Sequence, residues 1–99
     1  MAELQVVYWR DIPAQVIVRQ GRKAARRELP KRFIEAVDMC AMSVGAKDSD
    51  AYLAEWRRAS TERDADDLES EAERAAAEID ATYNRERLRS LIDNAGREP

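Results

Sequence analysis

The sequence contains no histidine, one cysteine, three glycines and three prolines among its 99 residues. Without histidine there is no imidazole base for neutral-pH proton transfer, no Ser-His-Asp or Cys-His nucleophile and no imidazole metal ligand. The lone Cys40 can neither close an internal disulfide nor build a thiolate zinc site, which agrees with a reducing compartment. Gly21, Gly45 and Gly96 stand alone, so no glycine-rich phosphate loop follows a strand. No apolar run approaches the roughly 20 residues a bilayer demands, and MAELQVVYWR lacks the basic and apolar regions of a secretion signal. These absences predict a cytoplasmic chain that does not enter a membrane, carries no cofactor or metal, and is no enzyme.

What the chain has in quantity is charge, 37% of its residues, sorted by position. Residues 19 to 32, RQGRKAARRELPKR, hold seven Lys/Arg against one Glu, a net of +6. Residues 62 to 80 hold nine Asp/Glu against Arg63 and Arg74, a net of −7, so the overall −3 conceals two opposed blocks. Such blocks describe contact surfaces, internal or external. The carboxylates from Asp64 to Asp80 lack the spacing and glycine of a calcium loop, and read as the solvated face of a helix.

Ninety-nine residues make one domain, 1–99, with a core over about 3–93 and a flexible tail at 94–99. Leu4-Gln5-Val6-Val7-Tyr8-Trp9 and Val16-Ile17-Val18 are β-branched and aromatic, and predict antiparallel strands over about 3–10 and 14–20, broken at Asp11-Ile12-Pro13. Leu29, Phe33, Val37, Cys40 and Val44 recur at the interval of a helix face, with Pro30 suited to the first turn and Gly45 to the C-terminal cap. Cys40 falls on that apolar face, where a thiol is buried and inert. Leu68, Ala72, Ala75, Ile79 and Tyr83 mark a second amphipathic helix, with acids crowding its first turns. The apolar face resumes at Leu88, Leu91 and Ile92 after a break at Asn84, and Gly96 ends it.

Two segments are ambiguous. KAARRE, within 22–28, favours a short helix kinked at Pro30 by propensity, and its rival is a third strand hairpinned through Gln20-Gly21. Residues 50–60 read as a strand that completes the sheet, although Leu53 and Trp56 also fit a helical turn. The expected fold is therefore α+β, with two or three antiparallel strands covered on one face by two long helices.

Candidate contact residues fall in two groups. In a helix, Arg22, Lys23, Arg26 and Arg27 would line up as a cationic stripe able to neutralise phosphates, although the acidic block competes for them. Tyr8, Trp9, Arg10 and Asp11 place two aromatics beside an ion pair at a strand end. Strand alternation sends Tyr8 and Trp9 to opposite faces, so one of them needs a cover or becomes an exposed anchor. Trp56 and Arg57 repeat that composition and adjoin the first group if residues 52–58 pair with the first strand. The residues thus favour a protein partner or a homodimer, with a nucleic-acid-binding regulator using segment 19–32 as the alternative.

At YWRDIPAQV, supported by LPKRF, YLAEWRR and a C-terminal ERLRSLI, the chain resembles the small bacterial virulence factor domain over roughly residues 4 to 92. That domain also closes the larger conserved virulence factor C proteins, and stand-alone versions of about this length are similar to those of alphaproteobacteria. The resemblance implies a non-catalytic accessory role, with no catalytic residues to carry over. Its stand-alone members lie near genes of folate-linked one-carbon and corrinoid metabolism, which implies an enzyme of that kind as partner.

Overall fold

A computed structural model of the chain describes residues 2–46 and 49–98. Strand β1 (Ala2–Trp9) turns through Arg10-Asp11 into β2 (Ile12–Gln20), and Gly21-Arg22 turns β2 into β3 (Lys23–Glu28). Helix α1 (Lys31–Ser43) follows, then the six-residue α2 (Ser49–Ala54), strand β4 (Trp56–Arg63), α3 (Leu68–Thr82) and α4 (Arg85–Asp93). The strands form one antiparallel sheet in the order β3-β2-β1-β4.

The α+β expectation holds, and the details differ in physically instructive ways. Among the described residues there are four strands, because 23–28 is a strand and not the kinked helix its propensity favours. Gly21 at φ +62° makes the tight turn, the ladder with β2 satisfies the backbone, and Ala25 enters the core. Residues 50–60 divide: Tyr52 and Leu53 lie in α2, and the strand starts only at Trp56 and runs on to Arg63. Nor do two helices share one face of the sheet.

Helix α3 lies across β2 and β3, where Ala72 and Ala75 meet Leu4, Val6, Val16, Val18 and Ala25. Its alanines let the helix backbone approach the sheet closely. Asp67 caps its start, accepting from the Glu69 N–H at 3.2 Å. Helices α1 and α4 pack on each other at the turn end of the sheet, enclosing Trp9, Ile12, Leu29, Phe33, Val37, Cys40, Leu88 and Leu91. Gly45, at φ +78°, ends α1, with Ala46 N–H donating to Ala41 and Gly45 N–H to Met42, the paired bonds of a Schellman cap. Asn84 caps α4 through the Arg87 N–H, so the expected break falls where composition placed it.

The sheet face opposite α3 has a small apolar centre in Val7 and Ile17, whose cross-strand neighbours are Gln5, Gln15, Arg26 and Arg58. Both are buried beneath those long polar side chains, outside either apolar cluster. Among the described residues no helix is long and apolar enough to cross a membrane.

Candidate interaction site

The turn at Tyr8 to Asp11 is a clasp more than an exposed anchor. Arg10 takes φ 55°, a conformation that costs a side-chain-bearing residue roughly 1–2 kcal/mol. Several bonds offset it. Arg10 N–H donates to Glu55 at 3.1 Å and Asp11 N–H to Gly96 at 2.8 Å. The Arg10 guanidinium donates to the Ala95 carbonyl at 2.6 Å, and Arg57 Nε donates to the Arg10 carbonyl at 2.9 Å. Arg10 Nε is buried 3.5 Å from Glu55 Oε2, too far for a hydrogen bond.

Asp11 completes the clasp by accepting from the Glu98 N–H at 2.7 Å and pairing with Arg57 at 3.0 Å. The Glu98 amide first, and Arg57 after it, hold the Asp11 carboxyl below the usual carboxylate range against the opposing effect of burial. Of the tail expected to be flexible over 94–99, Ala95, Gly96 and Glu98 are thereby tied to the β1–β2 turn, and Pro99 lies outside the described residues.

Trp9 is fully buried and donates its indole N–H to the Tyr52 carbonyl at 2.9 Å. Its ring lies 5.9 Å from that of Tyr52, which meets Trp56 edge-on at 5.8 Å. The cover that strand alternation required therefore comes from α2 and α1, and Trp9 is a core residue, unavailable to a partner. Tyr8 is half-buried under the Arg57 guanidinium, 4.4 Å from its ring. The expected adjacency of the two aromatic groups is observed: Trp9 stands opposite Trp56, and Tyr8 opposite Arg57.

The expected cationic stripe does not form. In β3, Arg26 stands opposite Ile17 and Arg27 opposite Val16, on opposite faces of the sheet, because a strand alternates where a helix would align. Arg27 pairs with Glu69 of α3 at 2.5 Å. Arg32, the last residue of the basic block, binds Asp80 and donates to the carbonyls of Asp80 and Tyr83, each at 3.0 Å. The acidic helix thus neutralises part of the basic block. Arg19, Arg22, Lys23 and Arg26 make no ion pair among the described residues.

Sequence reasoning missed the outer side of α1. Ile34 (41%), Met39 (52%) and Met42 (67%) are exposed there, as is Leu53 (62%) of α2. A groove of about 430 Å³ runs between α1 and the sheet, lined by Ala14, Gln15, Glu28, Lys31, Ile34 and Trp56 among others. A second, of about 480 Å³, lies between α1 and α4, with Ala36, Met39, Leu88 and Ile92 between Arg32 and Arg89. The signal was present in the sequence, since three apolar residues fall outside the Leu29-to-Val44 stripe. Cys40 offers no chemistry here: it is fully buried, and burial pushes its thiol up, against a smaller opposing effect of Arg10.

The family model described as "Virulence factor" matches residues 7–92, most of the chain and all of this site except the tail. No curated protein and no solved structure matches.

Proposed function

We propose, for a chain that by this match belongs to the virulence factor family, an accessory role without catalysis, exercised by binding another protein along the exposed side of α1. The observation that carries the reading is the flanking of α1 by two grooves, each with a half-exposed apolar side chain of that helix at its wall, Ile34 in one and Met39 in the other. Methionine adapts to irregular partners, and in the second groove apolar side chains among Arg32, Arg85 and Arg89 have the composition of protein interfaces. The resemblance drawn from the sequence makes an enzyme of one-carbon metabolism the first partner to try.

A second reading has one observation in its favour, the unpaired Arg19, Arg22, Lys23 and Arg26 around the β2–β3 hairpin, which suits a polyanion such as nucleic acid. The test compares wild type with Ile34→Glu and Met39→Glu. Partners captured with wild type are purified and titrated by calorimetry, and either substitution should weaken binding at least about tenfold. Equal binding by both variants sinks the α1 reading. Binding of a DNA or RNA duplex that falls steeply with salt and is lost in Arg22→Gln with Lys23→Gln would replace it.

A further inference from the structure

Strand β4 ends the sheet beside β1, and its other edge has no strand neighbour. It is eight residues long, contains neither proline nor glycine, and keeps an unbroken register with β1 from Trp56 to Arg63. A straight exposed edge of this length is a template for another strand unless something blocks it. Here the charges are arranged to match a copy of themselves.

Arg57 and Arg63 point to the α3 side and are already neutralised, Arg57 by Asp11 and Arg63 by Glu71 and Glu78. Arg58 and Glu62 point to the opposite side. Glu62 stands directly across from Glu3, a like-charge pair, and has no ion-pair partner among the described residues. Among the described residues Arg58 makes only a 3.3 Å hydrogen bond to Gln5. Among the described residues, therefore, Glu62 has no ion-paired cation, Arg19 lying beyond Glu3 in the same cross-strand row, and Arg58 has no anion; the two stand four residues apart on the same side of an open edge.

When a strand pairs antiparallel with its own copy about a two-fold axis normal to the sheet, facing residues must share a side, so their numbers sum to an even value. With the axis between the two Ser60 residues, Arg58 of each copy faces Glu62 of the other, and Ala59 faces Thr61. Moving the axis to Ala59 sets Glu62 against Trp56, and moving it to Thr61 sets it against Ser60. One register alone supplies what both charges lack. The other open edge, β3, carries Lys23, Arg26 and Arg27 against Glu28 alone, so the one register that sets Arg26 against Glu28 of a copy also stacks Arg27 on Arg27, and the edge stays net cationic. Pairing β3 with β4 would leave free edges at both ends and would not close.

We propose that the chain self-associates as a two-fold dimer through β4, joining two four-stranded sheets into one of eight strands, with Arg58 of each copy against Glu62 of the other. This assembly runs along the free edge of β4, which meets the α1 grooves only at Trp56, and its test reads oligomeric mass, so either can fail while the other stands. The test is solution mass by light scattering on the full chain from about 10 µM to about 1 mM, the range suited to a small strand-to-strand interface. Wild type should rise towards the dimer mass. Arg58→Glu or Glu62→Arg alone should raise the dissociation constant about tenfold, because two symmetry-related pairs become repulsive, and the double variant should return to within about threefold of wild type.

A second measurement uses geometry alone: oxidised Ser60→Cys should crosslink, because the two residues face each other. Thr61→Cys should not, because its copies lie two positions apart along the ladder, beyond disulfide reach. A monomer throughout the range with no Ser60→Cys crosslink overturns the proposal. So does a dimer indifferent to the single reversals, or one that the double reversal fails to restore.

Discussion

Gly96 is where the tail clasp is most exposed to a single substitution. Its φ of +80° belongs to the left-handed region, and a methyl group built there would lie 3.0 Å from Cys40 Sγ and 3.1 Å from Arg10 Cδ. Gly96→Ala therefore meets two penalties. The conformation costs roughly 1–2 kcal/mol, and crowding a packed site roughly 1–3 kcal/mol, against which the stiffer unfolded chain returns about 0.4–1 kcal/mol. The net is a loss of about 1–4.6 kcal/mol, and its midpoint near 3 kcal/mol lowers the melting temperature of a domain of this size by roughly 12–24 °C.

The two other glycines separate the penalties. Gly45 and Gly21 also have positive φ, +78° and +62°, but a methyl group at either meets nothing within 4 Å. Urea unfolding followed by circular dichroism should find Gly96→Ala more destabilising than Gly45→Ala by about 1–3 kcal/mol at unchanged m-value. Combining Gly96→Ala with Cys40→Ala should recover part of that difference, since the sulfur is the nearest atom. If all three glycines lose the same stability on substitution by alanine, the tail is not packed as described and the clasp argument fails.

Glu71 is a buried carboxylate, 5% exposed and 3.0 Å from Arg63, so Glu71→Gln should cost about 1–3 kcal/mol in thermal unfolding. Glu78→Gln, on the exposed side of the same arginine, should cost under about 1 kcal/mol. The depressed Asp11 carboxyl contributes stability that is fully present above its unfolded pKa, near pH 4, and is lost as pH falls through its lower folded value. The stability gap between wild type and Asp11→Asn should therefore narrow on acidification below about pH 4, and a gap that widens contradicts the sign. Cys40 should react with a thiol reagent no faster than the chain opens, and prompt labelling of the native protein would refute its burial. Arg32 binds both Asp80 and carbonyls at the end of α3, so Arg32→Gln should cost about 1–2 kcal/mol, while Arg22→Gln at the hairpin tip should cost under about 0.5 kcal/mol. Equal costs would mean that the basic block is not anchored through α3.

The elements that could be read from the sequence are those whose signal is local and repeated. Leu68, Ala72, Ala75 and Ile79 hold one period over most of a fifteen-residue helix, and the helix forms where they stand. The β3 segment failed because its helix propensity, a few tenths of a kcal/mol per residue, loses to a ladder with β2 and to the burial of Ala25 beneath α3. In β4 the difficulty was the lack of a signal. An edge strand with one neighbour needs few apolar residues, and RRASTER offers almost none. Trp9 shows the limit of alternation: the pleat requires a cover for one of two aromatics, but Tyr52, which supplies it, lies 43 residues away.

The opposed charge blocks were visible at once, but their meaning depended on topology. Because α3 crosses β2 and β3, the acidic helix meets the basic strand, and Arg27 with Glu69 and Arg32 with Asp80 neutralise a share of both. What remains unpaired is informative by position. Arg19, Arg22, Lys23 and Arg26 gather around one hairpin, whereas Arg58 and Glu62 lie without ion pairs among the described residues on the opposite edge of the sheet, Arg58 outside both blocks and Glu62 at the start of the acidic one. Block statistics point to the hairpin, where Arg22, Lys23 and Arg26 stand together and suit a polyanion, while Arg19 faces Glu3 across the sheet. Register points instead to β4, where opposite charges are spaced to satisfy a second copy. The β4 pair was legible only once the strand's partner and parity were known, since four residues between an arginine and a glutamate mean one thing on a helix and another on an open edge.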